Sequence, residues 1–417
     1  MKKILFYLLF VLTIQAQAQR NTIFSSQIKT LQLIVNQDWS APPIVGLNTA
    51  DQLEISFDEL SHDYHAYRYI LTHCDTNWQT SNLAESDYLS GFNDNEIESQ
   101  ESSINTSVLY THYKVTLPNE TVSFTISGNY KVTVYDEEEG DKDTPVFEAF
   151  FSVISPKVSI ATTVSCNTLI DTNSTHQEVS FTINHKDYPI SSPQSSIKVQ
   201  VFQNRRWDNA VLTLQPTAIM NNQLRYEHNR QLIFDANNEY RRFEVVNLQI
   251  PLQGVEKINY FDPYYHTTLY TDKERRNYSY DRDQNGLRLI RYDQASDDAI
   301  EADYTFVHFT LASDEPLIDK TVYLQGAFTY DRFNKANRMK YNGTLRQYEN
   351  TQLLKLGAYN YQYLTISGNN KKGSATPFEN NFYETENEYL ILVYDRPFGS
   401  RYDHLIGMQR ISYAPNH

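Results

Sequence analysis

Cysteine is nearly missing from this chain: its 417 residues include two. With so few, a disulfide-stapled scaffold is excluded. Thirteen glycines and 14 prolines are too few for a collagen-like or Pro/Gly-rich disordered chain. Positive charge is also short, 36 Lys+Arg against 51 Asp+Glu for a net charge of −15, so no basic stripe is offered to a phosphate backbone. Long apolar runs are confined to the first 18 residues, which excludes a later membrane-spanning helix. G-x-S-x-G, P-loop and Rossmann fingerprints are missing as well. Aromatic residues, by contrast, are abundant: 32 Tyr, 21 Phe and 3 Trp, in a chain 40% hydrophobic, suffice for sizeable cores.

Lys2 and Lys3 precede the apolar run Ile4 to Val11, which continues through Leu12-Thr13-Ile14 to Ala16-Gln17-Ala18. A charged start, an apolar centre and small residues at the end make a secretory signal peptide, residues 1–18, cut after Ala18. The next residue is Gln19, not a lipid-bearing cysteine. The expectation is therefore an exported chain with no transmembrane segment after cleavage. Export places Cys74 and Cys166 where a disulfide could form, but they fall in what reads as different domains, and two separate thiols are expected.

Apolar residues recur with period two. Tyr130/Val132/Val134, Val179/Phe181/Ile183, Ile197/Val199/Val201, Val307/Phe309/Leu311, Tyr359/Tyr361/Tyr363 and Tyr389/Ile391/Val393 each mark a strand, expected to keep one wet face. Turn clusters such as Pro118-Asn119, Ser127-Gly128-Asn129, Asn285-Gly286 and Ser367-Gly368-Asn369-Asn370 separate them. Short strands without intervening helices predict an all-β fold of tandem immunoglobulin-like β-sandwich domains. Composition shifts predict boundaries that give an N-terminal sandwich at 19–155, a middle β domain at 156–300 and a C-terminal immunoglobulin-like sandwich at 301–417.

Few residues suggest chemistry. Asp281-Arg282-Asp283-Gln284-Asn285-Gly286 copies the first half of a calcium loop, but its twelfth position is Tyr292 where a bidentate carboxylate is needed, so a β-turn tip is expected. His62, His65 and His73-Cys74-Asp75 lie close in sequence without the spacing of a tetrahedral metal site or a placed base beside Cys74. Glu384, Glu386 and Glu388 fall on one face of a strand, where solvated carboxylates are the expectation. Most tyrosines are expected in cores and on sheet surfaces with their hydroxyls reaching water. No catalytic, cofactor-binding or metal residue is assigned.

Several blocks in a fixed order carry a resemblance. They include Leu53-Glu54-Ile55-Ser56-Phe57-Asp58, Tyr69-Ile70-Leu71-Thr72-His73-Cys74-Asp75-Thr76-Asn77-Trp78 and Tyr110-Thr111-His112-Tyr113 near the start, and Arg241-Arg242-Phe243 in the middle. Val322-Tyr323-Leu324-Gln325-Gly326-Ala327-Phe328, Leu354-Lys355-Leu356-Gly357 and Arg401-Tyr402-Asp403-His404-Leu405-Ile406-Gly407 follow near the end. The set resembles the plug protein family of the Bacteroidetes type IX secretion system. The resemblance implies a non-enzymatic periplasmic partner of the outer-membrane translocon barrel, peripheral to that membrane and without cofactors, closing the barrel's periplasmic end when no cargo is engaged. It names no interface residues, although the acidic tip Asp136 to Asp143 is one candidate contact.

A second likeness sits within the last third. Val322 to Tyr363 is similar to immunoglobulin-like starch-binding modules, and a secreted glycan-binding β-sandwich protein is the alternative function. In those modules a Trp stands two residues after the Phe of Gly326-Ala327-Phe328, and here that position is Tyr330.

Overall fold

The computed structural model describes residues 20–415, so the expected leader at 1–18 lies outside the described residues. The chain is all-β. Apart from single-turn helices at Glu85–Tyr88, Pro193–Ser196 and Asp298–Glu301 and two 3-10 turns, its regular structure is strand, arranged in separate sheets with no barrel. Every period-two segment picked out above lies in a strand, and its alternating residues are buried.

The first sandwich has one sheet in the order Thr22–Ile23, Phe147–Ile154, Gly128–Asp136, Tyr67–Cys74 and Asn95–Glu96, with Ile44–Gly46 added in parallel beside Phe147–Ile154. Facing it are Ile28–Val35, Leu53–Glu59, Thr111–Leu117 and Ser99–Ser102. Leu53, Ile55 and Phe57 from the second sheet meet Tyr69, Leu71, Val132 and Val134 from the first. Phe57 lies flat on Tyr113 with ring centroids 5.3 Å apart and edge-on to Phe147 at 4.9 Å, arrangements that suit the ring quadrupoles.

Pairing beyond the first sandwich departs from the expected cut at 300. Ile197–Gln203 pairs with Asn387–Asp395, which pairs with His404–Tyr413; this sheet packs on Ser159–Ser165, His176–Asn184 and Gln223–Tyr226. The second sandwich is therefore built from both sides of the expected boundary. Residues 236–386 lie between its two parts and form most of the third sandwich. There Arg241–Val245, Arg288–Ile290 and Lys320–Gln325 all pair with Gly357–Ser367. Its other sheet runs Val255–Phe261, Tyr264–Leu269, Tyr304–Ala312, Gln347–Lys355 and Lys340–Asn342. The predicted break at Asp297 to Ala302 falls inside this third unit, in the turn before Tyr304–Ala312. Periodicity marks strands but says nothing about which distant strand completes a sheet.

The expectation of one wet face also fails in places. All nine residues of Asn387–Asp395 are buried. Tyr389, Ile391 and Val393 face the second sandwich's core, while Leu390, Leu392 and Tyr394 pack with Ile154, Phe202 and Leu405. That outer face is covered because the first sandwich docks against it.

Candidate functional site at the joints between sandwiches

The three sandwiches meet through buried charge. Asp58, on Leu53–Glu59 of the first unit, receives the Lys355 Nζ of the third at 2.7 Å, and neither side chain is appreciably exposed. Asp58 also accepts from the Tyr304 hydroxyl at 2.6 Å and lies 2.6 Å from His112 Nδ1. Burial opposes its charge, yet Lys355 and His112 outweigh burial and hold Asp58 below the usual carboxylate range. Lys355 donates a second bond to the Ala299 carbonyl at 2.6 Å and stands 4.2 Å from the centroid of the Tyr110 ring. Burial pulls it below an ordinary lysine, against the pull of Asp58. Beside it, Asp303 of the third unit accepts the Ser107 and Val108 amides of the first at 2.7 and 3.0 Å.

A second joint links the first and second units. Asp403 accepts from the Thr76 amide at 2.9 Å, the Thr76 hydroxyl at 2.8 Å and Lys198 Nζ at 2.9 Å. Gln200 Nε2 donates to the Thr76 carbonyl at 2.8 Å, and the Tyr394 hydroxyl donates to Asn129 Oδ1 at 2.9 Å. Underneath lies His73, which burial drives down to about 4, so it stays neutral against the edge of Tyr130. Gly128 sits above it at φ +142°, where a Cβ would come within 2.3 Å of His73 Nε2. Gly128→Ala is expected to cost about 1–3 kcal/mol of stability in a urea titration. A loss under about 0.5 kcal/mol would show that the ring can step aside.

The second unit meets the third through its ion pair Arg206–Asp208, 2.7 Å apart: Gly373 of the third donates its amide to Asp208 and accepts from Arg206. Nearby, Glu379 is fully buried between Arg241 and Arg275. Sequence reasoning missed all these groups as a set. Asp58, His112, Arg241, Lys355 and Asp403 stand in the blocks that carried the resemblance, and those blocks converge on the joints.

The residues flagged from sequence go elsewhere. In the half calcium loop, Asp281 pairs with Arg242 at 2.5 Å. Asp283 accepts the Tyr240 and Asn285 amides, and burial lifts its carboxyl to about 6. The segment is a turn packed against strands Arg241–Val245 and Gly357–Ser367: Gln284 donates its amide to Asn360 Oδ1 at 2.6 Å, and Gly286 abuts the Tyr240 ring. Glu388, expected to be solvated, is buried between Arg205 and Arg410. Many tyrosines expected to reach water do not; Tyr361 and Tyr363 both donate to Asp272 Oδ2 at 2.8 Å.

His65 and His62 are not brought together in one cluster. His65 Nδ1 lies 2.7 Å from Asp136, and with Glu139 these residues bring three donor atoms within 4.8 Å of one another at the base of the acidic tip, a set that could hold a cation only with further ligands. Burial works against a charge on His65, but the Asp136 bond and Glu59 keep its pKa above the ordinary histidine value.

Cys74 and Cys166 are both free. Cys74 packs against Trp78 and Phe150, and burial pushes its thiol up to about 12. Cys166 is partly exposed and lies 2.8 Å from Asn173 Oδ1. A thiol reagent is expected to label Cys166 alone in the folded protein and both cysteines in denaturant, as read by mass spectrometry. Equal labelling of both at the start would contradict this burial.

Tyr330, which stands where the starch-binding modules carry their Trp, does not present its ring outward. Tyr330 is half-buried, with φ 52°, and its ring lies 5.4 Å from the Arg288 guanidinium carbon while packing against the first sandwich's core. A flat outward-facing ring is what stacking on a sugar requires, and the docked first unit covers this one.

Fold and joints together define a multi-unit β-sandwich protein with buried polar groups at the joints between its units. Residues 28–155 match the family model described as type 9 secretion system plug protein 1st domain. The first sandwich of the chain is thus a type IX secretion system plug protein first domain. The crystal structure of a hypothetical protein from Parabacteroides merdae ATCC 43184, at 2.30 Å resolution, is similar over 95% of this chain and 100% of its own, with 44% identity and a TM-score of 0.92. Trypsin-activated alpha-2-macroglobulin from Escherichia coli aligns over 93% of this chain and 24% of its own at 9% identity, and its TM-score of 0.15 carries no argument. No curated protein matches. Among the described residues no helix is long and apolar enough to cross a membrane.

Proposed function

We propose that this protein is the periplasmic plug of a type IX translocon, a non-enzymatic partner that seats against the periplasmic end of the giant outer-membrane barrel and closes it when no cargo is engaged. The observation that carries the reading is the family match over the first sandwich. The joints support it physically. A stopper must keep its shape against a wide water-filled pore, and three sandwiches tied by Asp58–Lys355, Asp403–Thr76 and Asp208–Gly373 present one fixed surface. In this reading a cleavable leader exports the chain, which works at the inner face of the outer membrane without a cofactor.

The test is a gentle detergent pull-down of the tagged protein from its native outer membrane, read by mass spectrometry. Recovery of one very large barrel protein in near-equal amount is the expected result. Recovery of the protein alone, repeated after mild cross-linking, would sink the assignment.

A further inference from the structure

A cavity of about 230 Å³ opens where all three sandwiches meet. The first unit contributes Pro43, Trp78 and Phe150 to its wall; the second contributes Phe202, Trp207 and Leu392; the third contributes Leu287 and Ala327. Trp78 and Trp207 meet edge to face at 5.9 Å, and Phe150 closes on Trp78 at 5.4 Å. Packing of this kind normally fills its own space, and here the aromatic faces line a void.

Three polar atoms in the lining have no partner among the described residues: the Trp78 Nε1 and Arg20 Nε donors and the Asn285 Oδ1 acceptor. Trp78 is only 7% exposed, and its backbone is held at φ 63°, a conformation rare for a bulky side chain. A buried indole N–H ordinarily finds an acceptor, because leaving it unpaired costs about 1–3 kcal/mol. Two donors and one acceptor on aromatic walls complement the C=O and N–H of a peptide group beside an apolar side chain.

The space does not end there. Through Asn204, Arg205, Asn285 and Leu287 it joins a more polar cleft lined by Trp39, Arg282 and Arg410. That stretch carries three arginines against the two carboxylates Asp283 and Glu388, a local positive excess on a chain of net charge −15. Arg282 is exposed and makes no ion pair among the described residues. A compact ligand would need the cavity alone, whereas an extended chain uses both parts. Tryptophan and arginine are also the side chains that dominate protein recognition.

We propose that the junction cleft is a recognition site for an extended peptide segment of a partner protein, which seats an aromatic side chain in the void lined by Trp78, Phe150 and Trp207 and places an acidic residue against Arg282. The site rests on the cleft alone; under the plug reading the segment belongs to the barrel. Because the cleft is built from all three sandwiches, a seated segment would bind only the assembled body.

The three tryptophans of the chain all line the cleft, so indole fluorescence and indole N–H resonances respond directly to its occupation. The probe is acetyl-Ala-Phe-Asp-Ala amide, with analogues carrying Ala for Phe and Asn for Asp. Saturable binding on the order of millimolar is expected, with the Trp78 indole resonance shifting, since one side chain and a few hydrogen bonds give little more. Replacing Phe should weaken binding at least about tenfold, which is roughly 1.4 kcal/mol. In Arg282→Glu, an exposed position, the preference for Asp over Asn should disappear.

Absence of a saturable response overturns the proposal, as for a cavity that holds only water or the chain's own N-terminal residues. Equal binding of the Ala analogue overturns it too. A photo-cross-linker at Leu287 in the native membrane separates the two readings. Barrel recovered by pull-down but never captured from Leu287 ends this inference and leaves the plug standing. Peptide binding without barrel recovery does the reverse.

Discussion

Lys355→Met is expected to remove about 3–5 kcal/mol of stability. Methionine fills much of the same space against Tyr110, so packing changes little; what changes is that Asp58 loses its cation in the dry seam between the first and third sandwiches. His112 and the Tyr304 hydroxyl remain on Asp58, and they supply hydrogen bonds but no permanent charge. Because the pair bridges two units, the cost should appear as earlier separation of the first sandwich, seen as a lower urea midpoint or a split transition. The double variant Asp58→Asn/Lys355→Met should recover a substantial part of the loss, since a buried neutral pair avoids the unpaired charge. A single variant that loses less than about 1 kcal/mol would mean water already reaches the seam.

The second large effect is on pH. Burial pushes the Glu239 carboxyl up to about 8 from its ordinary 4.5, even though the Tyr278 hydroxyl at 2.7 Å and the Glu386 amide at 3.0 Å favour its charged form. Its other oxygen, Oε2, has no partner. Between 4.5 and 8 the folded protein therefore holds a proton that the unfolded chain has released, so this group's contribution declines as pH rises through that window. Asp283 and Asp331, lifted to about 6 by burial, act in the same direction over the lower part of it. Asp58, Asp403 and Glu379 are depressed and act oppositely, losing their contribution as pH falls through their folded values.

Glu239→Gln keeps an acceptor for Tyr278 and removes the ionisation. It should match the parent near pH 5 and exceed it by a few kcal/mol near pH 9, flattening the alkaline decline of the melting temperature. Parallel curves for the two proteins from pH 5 to 9 would show that Glu239 is already ionised when folded.

Much of the fold was legible in the sequence. Strands such as 128–136 and 304–312 announce themselves by period two, because alternation of side chains is a property of the extended backbone and needs no partner. The acidic excess, the small cysteine count and the blocks resembling the plug family were equally readable. The joints were not, although their residues were in view: Asp58 and Lys355 are 297 positions apart, and nothing in either neighbourhood announces a counter-ion. The Asp281 loop was legible as a turn, but not the partners of its carboxylates: Arg242 and the Tyr240 and Asn285 amides arrive from the sheet and the turn.

By itself, then, the sequence determined the strands, the all-β class and the family of its first domain, since each depends on residues near one another along the chain. The tertiary structure alone decided that strand 197–203 would find its partner at 387–395, that the outer faces of these strands would be covered, and that Trp78, Trp207 and Leu287 would share one cavity. Those outcomes depend on which surfaces exclude water from one another, and that is settled only when the three sandwiches pack.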